Sequence, residues 1–180
     1  MNLPNKLTLL RIFLIPVYLI FQLIDFWPGY TKWLALAIFL IASFTDMLDG
    51  KIARKYNLVT NFGKFMDPLA DKLLVCSALI CFVYLKLLSP WVVIIIIARE
   101  FIISGFRLIA SDNGVVIAAS YWGKFKTVSQ MILVCLLIAD LQIQIMQIIT
   151  MIFVWIATIL TVVSLVDYIL KNKDVLKETK

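Results

Sequence analysis

The sequence predicts an all-α polytopic membrane protein of six transmembrane helices, with both termini in the cytoplasm. Three observations carry that expectation. The chain of 180 residues is 63% hydrophobic, with a mean hydropathy of +1.00, a composition that takes lipid as its solvent. Its apolar runs, such as "WVVIIIIA", do not alternate as the strands of a barrel would, so helices satisfy the backbone. Its basic residues are distributed unevenly between the two sides that such spans define.

Taken in order, the spans are 7–27, 33–54, 68–88, 90–111, 124–142 and 145–170, each near the ~20 residues that a bilayer core requires. The first opens "MNLPNKLTLLRIFLIPVYLIFQL", with a basic start but no small-residue cleavage site after its apolar run, so no cleavable signal peptide is expected. "DFWPGYTK" separates it from the second span, with interfacial Trp27, Tyr30 and Trp33 around a Pro-Gly turn. "KLLSPW" divides the third span from the fourth, and "ADLQIQ" the fifth from the sixth. On the opposite side lie a 55–67 loop, the "SDNGVV" region and the Lys-rich tail. Fifteen basic residues fall near that side and two, Lys32 and Lys86, near the other, which places the termini and the 55–67 loop in the cytoplasm. No internal repeat or linker breaks the chain, and residues 1–180 read as one domain.

Composition also excludes chemistry. There is no histidine, so zinc sites and imidazole acid–base catalysis are unavailable, and catalysis must use carboxylates, Lys, Arg or a hard metal. Cys76, Cys81 and Cys135 lie in apolar runs without Cys-x-x-Cys spacing and read as small buried hydrophobes. The net charge of +6 follows from positive-inside topology and anionic headgroups. Nucleic acid is not an expected partner, because the basic residues are spread among the spans.

Against this background the stretch "DMLDGKIARKYNLVTNFGKFMDPLAD" concentrates four carboxylates. Asp46 and Asp49 are three apart and share a helix face, which continues with Gly50 and Ala53, where a ligand can approach the backbone. Asp67 and Asp71, four apart, share another. Plainer roles exist for each residue alone: Asp67 as N-cap before Pro68, and Asp46 or Asp49 in salt bridges to Lys51, Arg54 or Lys72. Four like charges at a membrane boundary, however, repel and are costly to desolvate unless a cation offsets them. Hard divalent cations take oxygen ligands and are shared with substrate phosphates, and two of them can clamp a phosphoryl displacement.

The pattern Asp46-x2-Asp49-Gly50-x2-Ala53-Arg54-x8-Gly63-x3-Asp67-x3-Asp71 resembles the complete signature of the CDP-alcohol phosphatidyltransferase family. The resemblance implies a transferase of the cell membrane, homodimeric, with its site open to the cytoplasm and two Mg²⁺ ions per site (Mn²⁺ being the alternative). Carried over by position, Asp46, Asp49 and Asp67 bind metal, and Asp71 binds the second metal and acts as general base. The CDP-linked lipid, CDP-diacylglycerol, lies against Gly50 and Ala53, with Arg54 near its diphosphate.

The signature does not name the acceptor alcohol. Arg99 and Arg107 fall near one face of the fourth span, and Lys124 and Lys126 begin the fifth; intramembrane Arg with Lys suits a phosphate-bearing ligand. A structural alternative pairs Arg99 with Glu100 or with a motif aspartate, and lets Lys124 and Lys126 snorkel to the interface. "REFIISGFR", "YWGKFKT" and the opening "LPNKLTLLRI", with Asn5, Thr8 and Arg11, resemble the subfamily whose acceptor is sn-glycerol 3-phosphate. That resemblance implies phosphatidylglycerophosphate and CMP as products, Asn5 and Thr8 on the CDP-lipid side, and the acceptor phosphate among Arg99, Arg107, Lys124 and Lys126. The rivals are another acceptor (inositol phosphate, serine or a phospholipid) and, in a different class, a small cation carrier.

Overall fold

The computed structural model describes residues 2–56, 60–112, 117 and 120–173, without the side chains at 51, 53–55, 61, 62, 64, 65 and 112. Six helices run through the described residues: α1 (Leu3–Leu23), α2 (Thr31–Lys55), α3 (Asn61–Tyr84), α4 (Pro90–Asp112), α5 (Tyr121–Ala139) and α6 (Gln144–Lys171). No strand occurs among the described residues. The all-helical expectation holds. Four helices, α1, α2, α5 and α6, are long and apolar enough to cross a membrane. The other two are as long, but α3 carries Asp67, Asp71 and Lys72 in its first half, and α4 carries Arg99, Glu100 and Arg107 along its length. Their charges, rather than their lengths, set them apart.

The chain packs as two compact units, one of residues 1–87 with 137–140 and one of residues 88–136 with 141–180. In the first, α1 packs on α2 and α3. The inward stripe of α1 is Asn5, Thr8, Arg11, Ile15 and Tyr18, the spacing of one helical face. Its deep end is apolar, with the Tyr18 and Phe39 rings 5.6 Å apart. Its N-terminal end is polar. In α2 the buried positions Ala35, Phe39 and Ala42 run along the same face that later carries Asp49. The turn between α1 and α2 uses Gly29 at φ +86°, a left-handed conformation that glycine adopts without a Cβ clash. There the Trp27 carbonyl accepts from the Tyr30 N–H at 2.9 Å, and the Lys32 ammonium donates to the Asp140 carbonyl at 3.3 Å.

One boundary corrects the sequence reading. The expected loop over 55–67 is largely helix, because α3 begins at Asn61 rather than near residue 68. Thr60 caps it, its hydroxyl accepting from the Gly63 N–H at 3.0 Å. Asp67 is therefore not the N-cap, and Pro68 lies inside the helix. Proline there removes one backbone N–H from the helical ladder. Residues 57–59, which the expected loop also included, and 113–116 of the "SDNGVV" region lie outside the described residues.

In the second unit α4 packs on α6. The buried face of α6 is Ala157, Thr161, Ser164 and Tyr168, small or hydroxylated residues in an otherwise aliphatic helix. Val93, Ile96, Arg99, Ile103 and Ala110 are buried along α4. Phe106 meets Tyr168 edge to face, with centroids 6.1 Å apart.

Candidate active site

Asp46 and Asp49 project from the last three turns of α2. Asp49 is buried (1% exposed), while the Asp46 side chain is partly exposed. Between them lies Arg11, a fully buried guanidinium from α1. Its Nη1 stands 2.7 Å from Asp46 Oδ1, and its Nη2 donates to Asp49 Oδ2. One planar fork thus spans two carboxylates, which offsets charge that burial would otherwise make costly.

One turn earlier on α1, the Thr8 hydroxyl stands 2.6 Å from Asp67 Oδ1 and 3.1 Å from the Pro4 carbonyl. A hydroxyl has one proton, and the shorter, charge-assisted contact takes it. Asn5 completes the polar stripe, its Oδ1 accepting from the Thr60 hydroxyl at 2.9 Å. These contacts explain the glycine of the signature. A Cβ on Gly63 would stand 3.3 Å from Thr60 Oγ1 and 3.4 Å from both Asn5 Oδ1 and Asp67 Oδ2. A methyl there would press most on Thr60 Oγ1, which would have to give by a few tenths of an ångström.

Asp46, Asp49 and Asp67 lie within electrostatic reach of one another. Asp71, one turn beyond Asp67, is exposed. The donor chemistry fits a hard divalent cation, since every candidate ligand offers carboxylate oxygen. Among the described residues no three acidic or thiol groups close around one point. Arg11 engages Asp46 and Asp49, and Thr8 engages Asp67. Gly50 and the backbone of Ala53 and Arg54 continue α2, while the side chains of Ala53 and Arg54 lie outside the described set.

The second unit holds the four basic residues expected around the acceptor phosphate, and they divide into two pairs. Arg99 and Lys126 are buried and share Glu100, whose Oε1 accepts from Arg99 Nη1 at 3.1 Å and from the Lys126 ammonium. Arg99 Nε also donates to Ser164 Oγ at 3.2 Å. Gly123 faces this group, since a Cβ there would stand 3.4 Å from Arg99 Nη2. Arg107 and Lys124 are exposed, Lys124 with its ammonium 5.4 Å from the Tyr121 ring centroid. The charge of Arg107 is felt at Arg99. The Arg99–Glu100 pairing weighed from sequence is present, and Lys126 joins it.

Sequence reasoning named Arg11 but missed its bridge, and it missed Ser164 and Tyr168. Hydroxyls spaced three and four apart in the aliphatic α6 were the available signal. The Tyr168 hydroxyl is buried with no hydrogen-bond partner among the described residues.

Comparison with known proteins decides the family. The model of the CDP-alcohol phosphatidyltransferase family matches residues 1–163. This chain belongs to the CDP-alcohol phosphatidyltransferase family. It is 48% identical to the CDP-diacylglycerol–glycerol-3-phosphate 3-phosphatidyltransferase of Bacillus subtilis, over 98% of this chain and 97% of that one. The Haemophilus influenzae protein of the same name is 41% identical, over 93% and 91%. A probable phosphatidylglycerophosphate synthase of Mycobacterium tuberculosis is 40% identical, over 93% of this chain and 80% of its own. CDP-alcohol phosphatidyltransferases generally use divalent metal ions, and the carboxylates of α2 and α3 supply ligands of the required kind.

Proposed function

We propose that the protein transfers the phosphatidyl group from CDP-diacylglycerol to sn-glycerol 3-phosphate, giving phosphatidylglycerophosphate and CMP. The observation that carries this reading is 48% identity, over nearly the whole of both chains, to a protein named for that reaction. Asp46, Asp49 and Asp67 hold a divalent cation and Asp71 a second, Mg²⁺ or Mn²⁺. When bound, these ions polarise phosphoryl oxygens and offset the charge of the diphosphate. Gly50 and Ala53 give the CDP-lipid access to the α2 backbone, Arg54 lies near its diphosphate, and Asn5 and Thr8 support the same side. Thr8 acts there by fixing one oxygen of Asp67, which supports that carboxylate in a single orientation.

Asp71 takes the proton of the acceptor hydroxyl. The hydroxyl oxygen forms a bond to the lipid-linked phosphorus as the bond to CMP breaks. The exposure of Asp71 suits a group that must reach an incoming alcohol. Arg99, Arg107, Lys124 and Lys126 hold the acceptor's phosphate. Together with Glu100 they sum to +3 (four cations less one carboxylate), enough to balance a phosphate of about −2 at neutral pH. Glu100 positions the two buried cations, leaving exposed Arg107 and Lys124 to meet the ligand first.

In this reading the chain is a multi-pass protein of the cell membrane with six spans, a single domain and cytoplasmic termini and active site, working as a homodimer. The charges on α3, and separately those on α4, call for polar surroundings rather than lipid, as intramembrane charges do. Purified protein, CDP-diacylglycerol, a divalent cation and a panel of acceptors test the assignment, with CMP release as readout. Release with glycerol 3-phosphate and not with glycerol, serine or inositol phosphate is expected; equal use of serine would return the acceptor to open choice.

A further inference from the structure

We infer that Arg11 is the resident counter-ion of the carboxylate site, competing with divalent cations for Asp46 and Asp49 and thereby setting how tightly the site takes them. The inference rests on the reading of Asp46 and Asp49 as metal ligands.

Burial is the first support. The Arg11 side chain is fully enclosed, and a guanidinium cannot shed its proton to escape a low-dielectric site as a lysine can. Its charge must be met by anions in place, and Asp46 and Asp49 are those anions. Geometry is the second. One fork reaches both carboxylates, Nη2 donating to Asp49 Oδ2 and Nη1 ion-paired with Asp46 Oδ1, so the guanidinium already engages one oxygen of each. Guanidinium and hard cation therefore draw on one set of lone pairs.

The third support is incomplete satisfaction. Arg11 Nε and Nη1 are both buried without a hydrogen-bond partner among the described residues. The group is held by charge at its tip rather than by a full set of acceptors, which leaves it able to yield. Thr8, on the same face of α1, gives Asp67 a neutral donor, whereas Arg11 brings a full charge.

The consequence is a charge balance. Asp46, Asp49, Asp67 and Asp71 with Arg11 sum to −3 (four carboxylates less one cation). One divalent ion brings the sum to −1 and a second to +1, a surplus that an anionic diphosphate offsets. Without Arg11 the doubly loaded site would be neutral before substrate arrives. Arg11 thus weakens cation binding and favours a loaded site that needs the anionic lipid.

The test uses full-length protein in detergent or nanodiscs, with Mn²⁺ as the probe, titrated by electron paramagnetic resonance of the free ion. Arg11→Met removes the charge at similar length and is expected to bind Mn²⁺ about tenfold or more tightly, the scale of one charge removed at contact distance. Without Mn²⁺ it should unfold at a lower temperature than wild type, and Mn²⁺ should raise its unfolding temperature by more. A merely structural arginine predicts the opposite sign, because its loss would loosen the ligands. Unchanged or weaker Mn²⁺ binding in Arg11→Met overturns the proposal. Should that variant fail to fold, Arg11→Lys carries the test. An ammonium cannot bridge both carboxylates as a fork, so binding about threefold tighter is expected, and unchanged or weaker binding again overturns it. Asp49→Asn separates the underlying reading: it should lose Mn²⁺ affinity, and if it titrates like wild type the metal-ligand assignment falls, and this inference with it.

Discussion

Arg107 and Lys126 are expected to fail in different ways when truncated, although sequence reasoning grouped them. Arg107 is exposed, whereas Lys126 is 2% exposed and ion-paired to Glu100. In the proposed reading Arg107→Ala therefore removes a ligand contact and little else. A charge-assisted contact contributes about 1.5–3 kcal/mol, so the KM for glycerol 3-phosphate should rise roughly ten- to a hundredfold, with folding stability within about 0.5 kcal/mol of wild type. Lys126→Met should damage both properties. Removing one partner of a fully buried pair costs about 3–5 kcal/mol. Glu100 is one-fifth exposed and keeps Arg99 at 3.1 Å, so a loss of about 1–3 kcal/mol is the reasoned range.

The assay is thermal unfolding in detergent beside steady-state CMP release with each substrate varied in turn. The KM for CDP-diacylglycerol should hold in Arg107→Ala, because that lipid is assigned to the Asp–Gly–Ala face of α2. A further variant closes the argument. Glu100→Gln should loosen Lys126 and Arg99 without removing either cation, raising the acceptor KM less than Arg107→Ala while lowering stability more. If Arg107→Ala and Lys126→Met instead give the same unfolding temperature and the same KM pattern, the separation of a buried positioning pair from an exposed contact pair is wrong. If both substrates' KM values rise together, the cluster is not an acceptor-phosphate site.

Other perturbations follow from the same geometry. Asp46→Asn, Asp49→Asn and Asp67→Asn each remove a charged oxygen with little change of shape and should lower turnover by orders of magnitude while the protein remains membrane-bound; near-wild-type CMP release in any of them removes that residue from the metal set. Asp71→Asn should depress kcat more than it weakens CDP-lipid binding, with Mn²⁺ affinity measured alongside to separate the base role from the ligand role. Gly63→Ala places a methyl 3.3–3.4 Å from three oxygens and should reduce activity by shifting Asp67, and full activity would show that the surrounding side chains give way. Tyr168→Phe deletes a buried hydroxyl that has no partner among the described residues, so thermal stability should hold or rise, and a loss above about 1 kcal/mol would show the hydroxyl to be bonded.

What could be read in the sequence follows from the length scale of its signals. Helices persist over about twenty residues of apolar composition, and same-face relations persist over one or two turns. Asp46 with Asp49, and Asp67 with Asp71, were therefore legible as pairs, as was the Arg99–Glu100 neighbour contact. The start of α3 was not, because proline was taken as a first-turn marker while the deciding group was the Thr60 hydroxyl seven residues before Asp67. Partnership between helices was also hidden. Nothing in the spacing of "LPNKLTLLRI" says that Thr8 meets α3 while Arg11 meets α2; that follows from how α1 packs between them.

This last point bears on how the signature should be understood. Its specified positions all lie on α2 and α3, yet two of the carboxylates it specifies are bridged by a residue outside it. A third is oriented by another such residue, one turn away on the same helix. Carboxylates gathered at a membrane boundary are stable only as a charge-balanced group. The α1 stripe Asn5, Thr8, Arg11 is thus as much a part of the group's physical definition as the aspartates, and in the proposed reading two chains with identical signatures would differ in cation affinity through α1 alone.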